Sequence, residues 1–165
     1  DALYEGGFDG VLSIEHEVVD ASSLLADSPD GALRVQTVAR KHRDARALVE
    51  AVTESFNFEE LALVVGVMSE KDASGVLRAL APIAHHVTVT PVSSPRSLDS
   101  DLLSEHAHDA IPGTPIDVAA SLPEALDHAR AWAGAAEGRA VLVVGSVLLA
   151  GEAIAFSRSE GWGIA

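Results

Sequence analysis

The sequence predicts an open, doubly wound α/β domain on a mostly parallel sheet of about five to six strands, with helices on both faces. Three observations predict it. "LALVVGVM" (61–68) and "RAVLVVGS" (139–146) are nearly continuous apolar runs, the mark of strands covered on both sides. Between successive strand-like runs the apolar residues recur at helical spacing, which is the βαβ rhythm. Capping and turn residues fall at the junctions. Right-handed crossovers then distribute the helices over both faces.

The elements follow in order. Residues 1–31 stand outside the rhythm, as an irregular N-terminal segment: "LYEGGFDGVL" reads as a short helix and turn, "DASSLLADSPDG" as a polar loop. The α/β domain is expected over 32–165. "ALRVQTVA" (32–39) reads as its first strand, and Ala45, Leu48, Val49, Val52 and Phe56 then mark one face of a helix. After the strand at 61–68, Asp72 caps a helix whose inner face is Val76, Leu77 and Leu80. "HVTVTPV" (86–92) is a β-branched strand stopped by Pro91, and Leu98, Leu102, Leu103 and Ala110 mark the next helix. "PGTPIDVA" turns into a short strand near 115–119. Ser121 and Glu124 form a capping box, with Pro123 in the first turn of a helix that buries Leu122, Leu126, Ala129 and Trp132. A final helix covers roughly Glu152 to Phe156. The whole is Rossmann-like.

Composition narrows the partners. With 11 Lys and Arg against 25 Asp and Glu, the net charge is −14, so neither nucleic acid nor an anionic membrane is an expected partner. The absence of cysteine removes disulfides, thiolate nucleophiles and Cys-ligated zinc, and fits a cytoplasmic location. "AVLVVGSVLLAG" (140–151), the longest nearly apolar run, is too short to span a bilayer. The opening residues lack the charged and apolar regions of a signal peptide. The chain does not open on Met, and a longer parent chain is among the expectations.

Ligands of doubly wound sheets bind beyond the carboxyl ends of the strands. The loops to read are therefore 39–44, 66–72, 91–97 and 145–151. In 66–72 Gly66 permits close backbone approach, while Lys71 and Asp72 supply a charge and a cap; the same loop is also simply a capped helix with a solvated lysine. Ser94 and Arg96 lie at the next strand end, where Arg96 is either a carboxylate or phosphate clamp or an exposed turn arginine. Gly145 and Ser146 follow the last strand. In 39–44 a cluster of Arg40, Lys41, His42 and Arg43 precedes a helix, where cations are disfavoured by the macrodipole. It is either an anion-binding group or a solvated charge run.

Much is excluded. The two lysines, Lys41 and Lys71, do not follow glycine, so there is no P-loop. No G-x-G-x-x-G and no G-x-S-x-G occurs. His106 and His108 point to opposite sides of a helix, and His85 and His86 diverge on a strand, so neither pair is a metal site. No catalytic residue is assigned.

Three ordered blocks, "ARALVEAV", "VVGVMSEKDASGVLRALAPIAHHVTVTPVSSPRSLDSDLL" and "AVLVVGSVLLAGE", resemble the C-terminal domain of folylpolyglutamate synthase/dihydrofolate synthase, in the Mur ligase superfamily. The family shows G-V-x-x-D-K-D, T-x-x-S-P-R-A-L and G-S-x-x-x-x-G-E segments, and the likeness covers about 43–157. The resemblance implies a role in folate biosynthesis and one-carbon metabolism. ATP activates a folate carboxylate as an acyl phosphate, and the amino group of glutamate attacks it. ATP and Mg are implied as cofactors, held mainly by a central P-loop ATPase domain that acts with this one in cis or in trans. This chain alone is expected to be inactive. The implied substrate- and nucleotide-binding positions are Lys71, Asp72, Ser94, Arg96 and Ser146, with Glu70 in place of the first Asp of D-K-D. The family's D-x-A-H-N-P, expected just before "ARAL", is not preserved. Its Asp position holds Thr37, Ala39 agrees, and Arg40, Lys41 and His42 occupy the His, Asn and Pro positions. An alternative is a non-catalytic module on the same fold, in which the cluster holds a glutamate- or folate-type anion or an acidic protein patch.

Overall fold

A computed structural model describes residues 12–14, 21–27, 37–40, 49–50, 52–54 and 58–161. Seven strands run in chain order: β1 Leu12–Ile14, β2 Ala21–Asp27, β3 Thr37–Arg40, β4 Glu60–Val65, β5 His86–Val89, β6 Ile116–Val118 and β7 Arg139–Val144. Among the described residues the α-helices include α1 Ala73–Leu80, α2 Ser100–Ala110, α3 Leu122–Gly134 and α4 Val147–Ser159, with a 3-10 turn at Ala81–Ile83. Residues 49–50 and 52–54 are also helical.

The heart of the fold is a four-stranded parallel sheet, β7-β4-β5-β6, fewer strands than the five to six expected of the parallel sheet. The N-terminal strands extend it to seven. β2 pairs antiparallel with 140–142 of β7, β1 runs parallel beside 142–144, and β3 pairs antiparallel with β2. The reading of 20–31 as a polar loop is therefore corrected. Ala21–Asp27 is a strand, because an open edge of β7 offers backbone partners that a Ser- and Ala-rich segment takes whatever its side chains. Likewise 12–14 is strand rather than helix or turn. Residues 1–11, 32–36, 41–48 and 55–57 lie outside the described residues, and with them part of the expected first strand and most of the first helix.

Alternation along β4 and β7 builds two cores. Leu61, Leu63, Val65, Ala140, Leu142 and Val144 face one way, onto α1 and α2 through Leu77, Leu80 and Leu103. Ala62, Val64, Val141 and Val143 face the other, onto α3 and α4 through Leu126, Ala129 and Leu149. Burying each Leu stabilises by about 1.5–3 kcal/mol, and small Ala faces on α3 let it lie close to the sheet. On α2 the inward residues are Leu103 and Ala107, while Leu102 is exposed.

The helix ends follow the local sequence. Asp72 Oδ1 accepts from Gly75 N–H at 3.0 Å and starts α1. The expected capping box forms in part: Ser121 Oγ accepts from Glu124 N–H at 3.4 Å, while Glu124 Oε2 accepts at 3.3 Å from Ala120 N–H, one residue before the cap. α4 is longer than expected, because the cap is Ser146 and the apolar "VLLA" is its first turn rather than part of the 145–151 loop. At the amino ends of the strands Arg139 bonds Glu60 at 3.1 Å and stacks 4.2 Å over the half-buried Trp132, while His86 Nε2 meets Asp117 Oδ2 at 2.8 Å. Leu61 N–H donates to His85 Nδ1 at 3.0 Å, and His106 Nδ1 meets Ser74 Oγ at 2.9 Å. The histidines thus serve local packing on diverging sides.

Candidate functional site

The parallel strands end flush. Val65 is in register with both Val89 and Val144, and Val89 with Val118, so the loops after β4, β5, β6 and β7 form one rim. β3 points the same way as β7, since each is antiparallel to β2. Arg40, the last residue of β3, therefore lies at the same end of the sheet as this rim, on the far side of β2 from β7. Lys41 and His42 lie outside the described residues.

Two glycines let the rim close. Gly145 adopts φ +128°, and a Cβ there would collide with the Gly66 carbonyl oxygen. A Cβ on Gly66 would stand 2.8 Å from Thr90 O. The exits of β7, β4 and β5 are thus packed backbone on backbone.

The 66–72 and 91–98 loops are zipped together. Ser69 N–H donates to Arg96 O at 2.7 Å and Leu98 N–H to Val67 O at 2.9 Å, with an antiparallel bridge between Met68 and Ser97. Ser97 Oγ accepts from Val92 N–H at 2.9 Å and ties the base of the second loop. Arg96 Nη1 donates to Glu70 Oε1 at 3.0 Å across the loops. With side chains 69% and 47% exposed, the pair is worth at most about 1 kcal/mol, and it uses one of the five guanidinium N–H donors.

Lys71, Asp72, Ser94, Arg96 and Ser146 therefore share one rim, each with a definable local duty. Asp72 is the cap of α1. Ser94 Oγ accepts from Arg96 N–H at 3.2 Å and Ser94 O from Ser97 N–H at 3.0 Å, which makes Ser94–Ser97 a turn with Pro95 in its second position. Ser146 is buried, and its Oγ accepts from Leu148 and Leu149 N–H at 3.1 and 3.5 Å. Lys71 is half-buried, its N–H donating to Met68 O at 3.1 Å. The rim gathers an exposed guanidinium, a lysine and the amino ends of α1 and α4, an arrangement that favours anions. Ser97 and the pairing of Glu70 with Arg96 escaped the sequence reading, whereas the close approach at Gly66 was expected. The available signal for the pair was that Glu70 and Arg96 have opposite charge in two loops at neighbouring strand ends.

Comparison with known proteins agrees with the geometry. The model of the family "Mur ligase, glutamate ligase domain" matches residues 24–147. The dihydrofolate synthase/folylpolyglutamate synthase of Mycobacterium tuberculosis is 33% identical over 120 residues, 66% of this chain and 25% of that protein. A probable bifunctional folylpolyglutamate synthase/dihydropteroate synthase of Haloferax volcanii is 36% identical over 110 residues, 67% of this chain and 13% of that protein. A crystal structure of Mycobacterium tuberculosis folylpolyglutamate synthase, complexed with ADP and AMPPCP, superposes with a TM-score of 0.65 at 32% identity, covering 68% of this chain and 26% of that one. The chain thus spans about a quarter or less of these relatives' length, and in the Mycobacterium tuberculosis enzyme it corresponds to the C-terminal portion. Fold, rim loops and sequence agree that the chain belongs to the Mur ligase family, through its glutamate ligase domain.

Proposed function

We propose that the chain is the nucleotide- and glutamate-contacting C-terminal domain of an ATP-dependent ligase of the folylpolyglutamate/dihydrofolate synthase type. The observation that carries the proposal is the convergence of the three motif loops on one flush rim with cationic groups. In such a ligase ATP supplies the activation of a folate carboxylate, and the amino group of glutamate then attacks it. Arg96, braced by Glu70, and Lys71 would face the phosphates or the glutamate carboxylates, and Ser146 would hold the start of α4 at that face. Magnesium does not fit this rim by itself. The Asp72 and Glu70 carboxylates are engaged as cap and ion pair, and no group of three or more His, Asp or Glu among the described residues is arranged to hold a metal. The metal and most nucleotide contacts therefore fall to a P-loop domain, supplied in cis or in trans, and these 165 residues are inactive without one.

The test joins the chain to the P-loop portion of the Mycobacterium tuberculosis relative and measures ADP formation that requires both folate and glutamate. Activity that falls at least tenfold in Arg96→Ala supports the reading. A folded fusion that binds neither nucleotide nor glutamate refutes it.

One observation favours a second reading. Thr37, Arg40, Lys41 and His42 stand where the family's Asp, His, Asn and Pro are expected, so a neutral threonine replaces the acid and two cations replace the histidine and the asparagine. On that reading it is a non-catalytic module that holds an anionic metabolite or an acidic protein patch. Reversing Arg40 and Lys41 to Glu would then abolish anion binding to the isolated chain, whereas the ligase reading predicts a smaller loss than Arg96→Ala gives.

A further inference from the structure

Beyond the carboxyl ends of β5 and β6, a cavity of about 330 Å³ opens between the strand exit at 91–93, the first turn of α3 and the second and third turns of α4. Val92, Leu122 and Phe156 give it an apolar wall, and Ser93, Ser121 and Glu152 line it with polar groups. Glu152 is its one charged lining residue. It closes the "GSVLLAGE" segment, and no part of the ligase reading uses it. Glu152 is half-buried as a residue, and its carboxylate makes no hydrogen bond or ion pair among the described residues.

The sign of the missing partner follows from what surrounds it. Two donors at the α3 end are taken, Glu124 N–H by Ser121 Oγ and Ala120 N–H by the Glu124 carboxylate, which adds a second negative charge nearby. An anion would have to settle beside both carboxylates. A cation has Glu152, two hydroxyl oxygens and the long-range attraction of a chain carrying −14. The size and half-apolar lining match a small-molecule pocket.

We propose that this cavity binds a small organic amine, with a primary ammonium on Glu152 and the hydroxyls of Ser93 and Ser121. The short apolar body lies against Val92, Leu122 and Phe156. The proposal does not depend on the ligase reading.

The test follows backbone amide shifts of the isolated chain during titration with n-butylammonium, n-butanol and n-butyrate at constant ionic strength. A ligand this small binds on the order of millimolar. The expected result is saturable shifts centred on Ser93, Leu122 and Glu152, with butanol and butyrate at least about tenfold weaker, a difference near 1.4 kcal/mol. Glu152→Gln removes the preference for the amine, while Glu124→Gln retains it. Ser93→Val, on the exposed side of the cavity, weakens the amine severalfold and serves if Glu152→Gln alters the fold. Equal binding of amine and alcohol overturns the proposal, as does full retention of the preference in Glu152→Gln or shifts centred elsewhere.

Discussion

Replacing Gly145 by Ala is expected to remove a large part of the stability of this domain, because two penalties meet at one Cβ. The residue sits at φ +128°, where an L side chain costs about 1–3 kcal/mol. The new methyl also strikes the Gly66 carbonyl and comes within 2.9 Å of Val67 Cγ1. Neither neighbour can give way easily. Gly66 is itself pressed against Thr90 O, and Val67 is buried. Relief would push β4 and β7 apart at their buried carboxyl ends, at a further cost of about 1–3 kcal/mol. The expected loss is about 2–6 kcal/mol from a total on the order of 5–15. It would lower Tm by about 10 °C for a chain of this size. Urea unfolding followed by far-UV dichroism measures it, with the slope unchanged if only the native state is affected. Gly151→Ala is the matched control. It sits inside α4 with open space around its Cβ position, so the change should stabilise by up to about 1 kcal/mol. A loss below about 1 kcal/mol for Gly145→Ala would refute the argument that the rim is closed by glycine-on-glycine packing.

Other outcomes follow from the same geometry. Ser146→Ala leaves one part-buried and one buried amide at the start of α4 without their acceptor, and should cost about 1–2 kcal/mol in the same unfolding assay; the exposed Asp72 cap should cost less, about 0.5–1. A double-mutant cycle on Glu70→Gln and Arg96→Gln should give a coupling of at most about 1 kcal/mol that vanishes in high salt. A larger, salt-independent coupling would mean the loops depend on that pair rather than on their backbone bonds. With Asp101, Glu105 and Asp109 spaced four apart on α2, and −14 overall, stability should rise with added salt; a fall would show that attractive pairs dominate.

The parts of this fold that were legible in the sequence are those specified locally. Apolar runs marked β4 and β7, Asp72 marked the start of α1, and Ser121 with Glu124 marked that of α3. β2 was not legible, because its place depends on the open edge of β7, more than a hundred residues away, and "ASSLLAD" carries little alternation of its own. The start of α4 was obscured because apolar residues run unbroken through the strand–helix junction, although Ser146 stood there as a cap. For the site, the rim loops were legible and their duties were not. Asp72, Ser94 and Ser146 have side chains suited to ligands, yet each accepts from a nearby backbone amide, a choice set by turn geometry. The cavity at Glu152 joins three segments separated by some thirty residues each, so no local pattern announces it.

The claim that the carboxyl-end rim is the ligand-facing side of this domain is tested most directly by mapping amide shifts on titration with ADP. The account predicts shifts concentrated in 66–72, 94–97 and 146–148, and markedly weaker in Arg96→Ala. No shift up to about 10 mM ADP, or shifts gathered at the amino ends near Glu60 and His86, would contradict it.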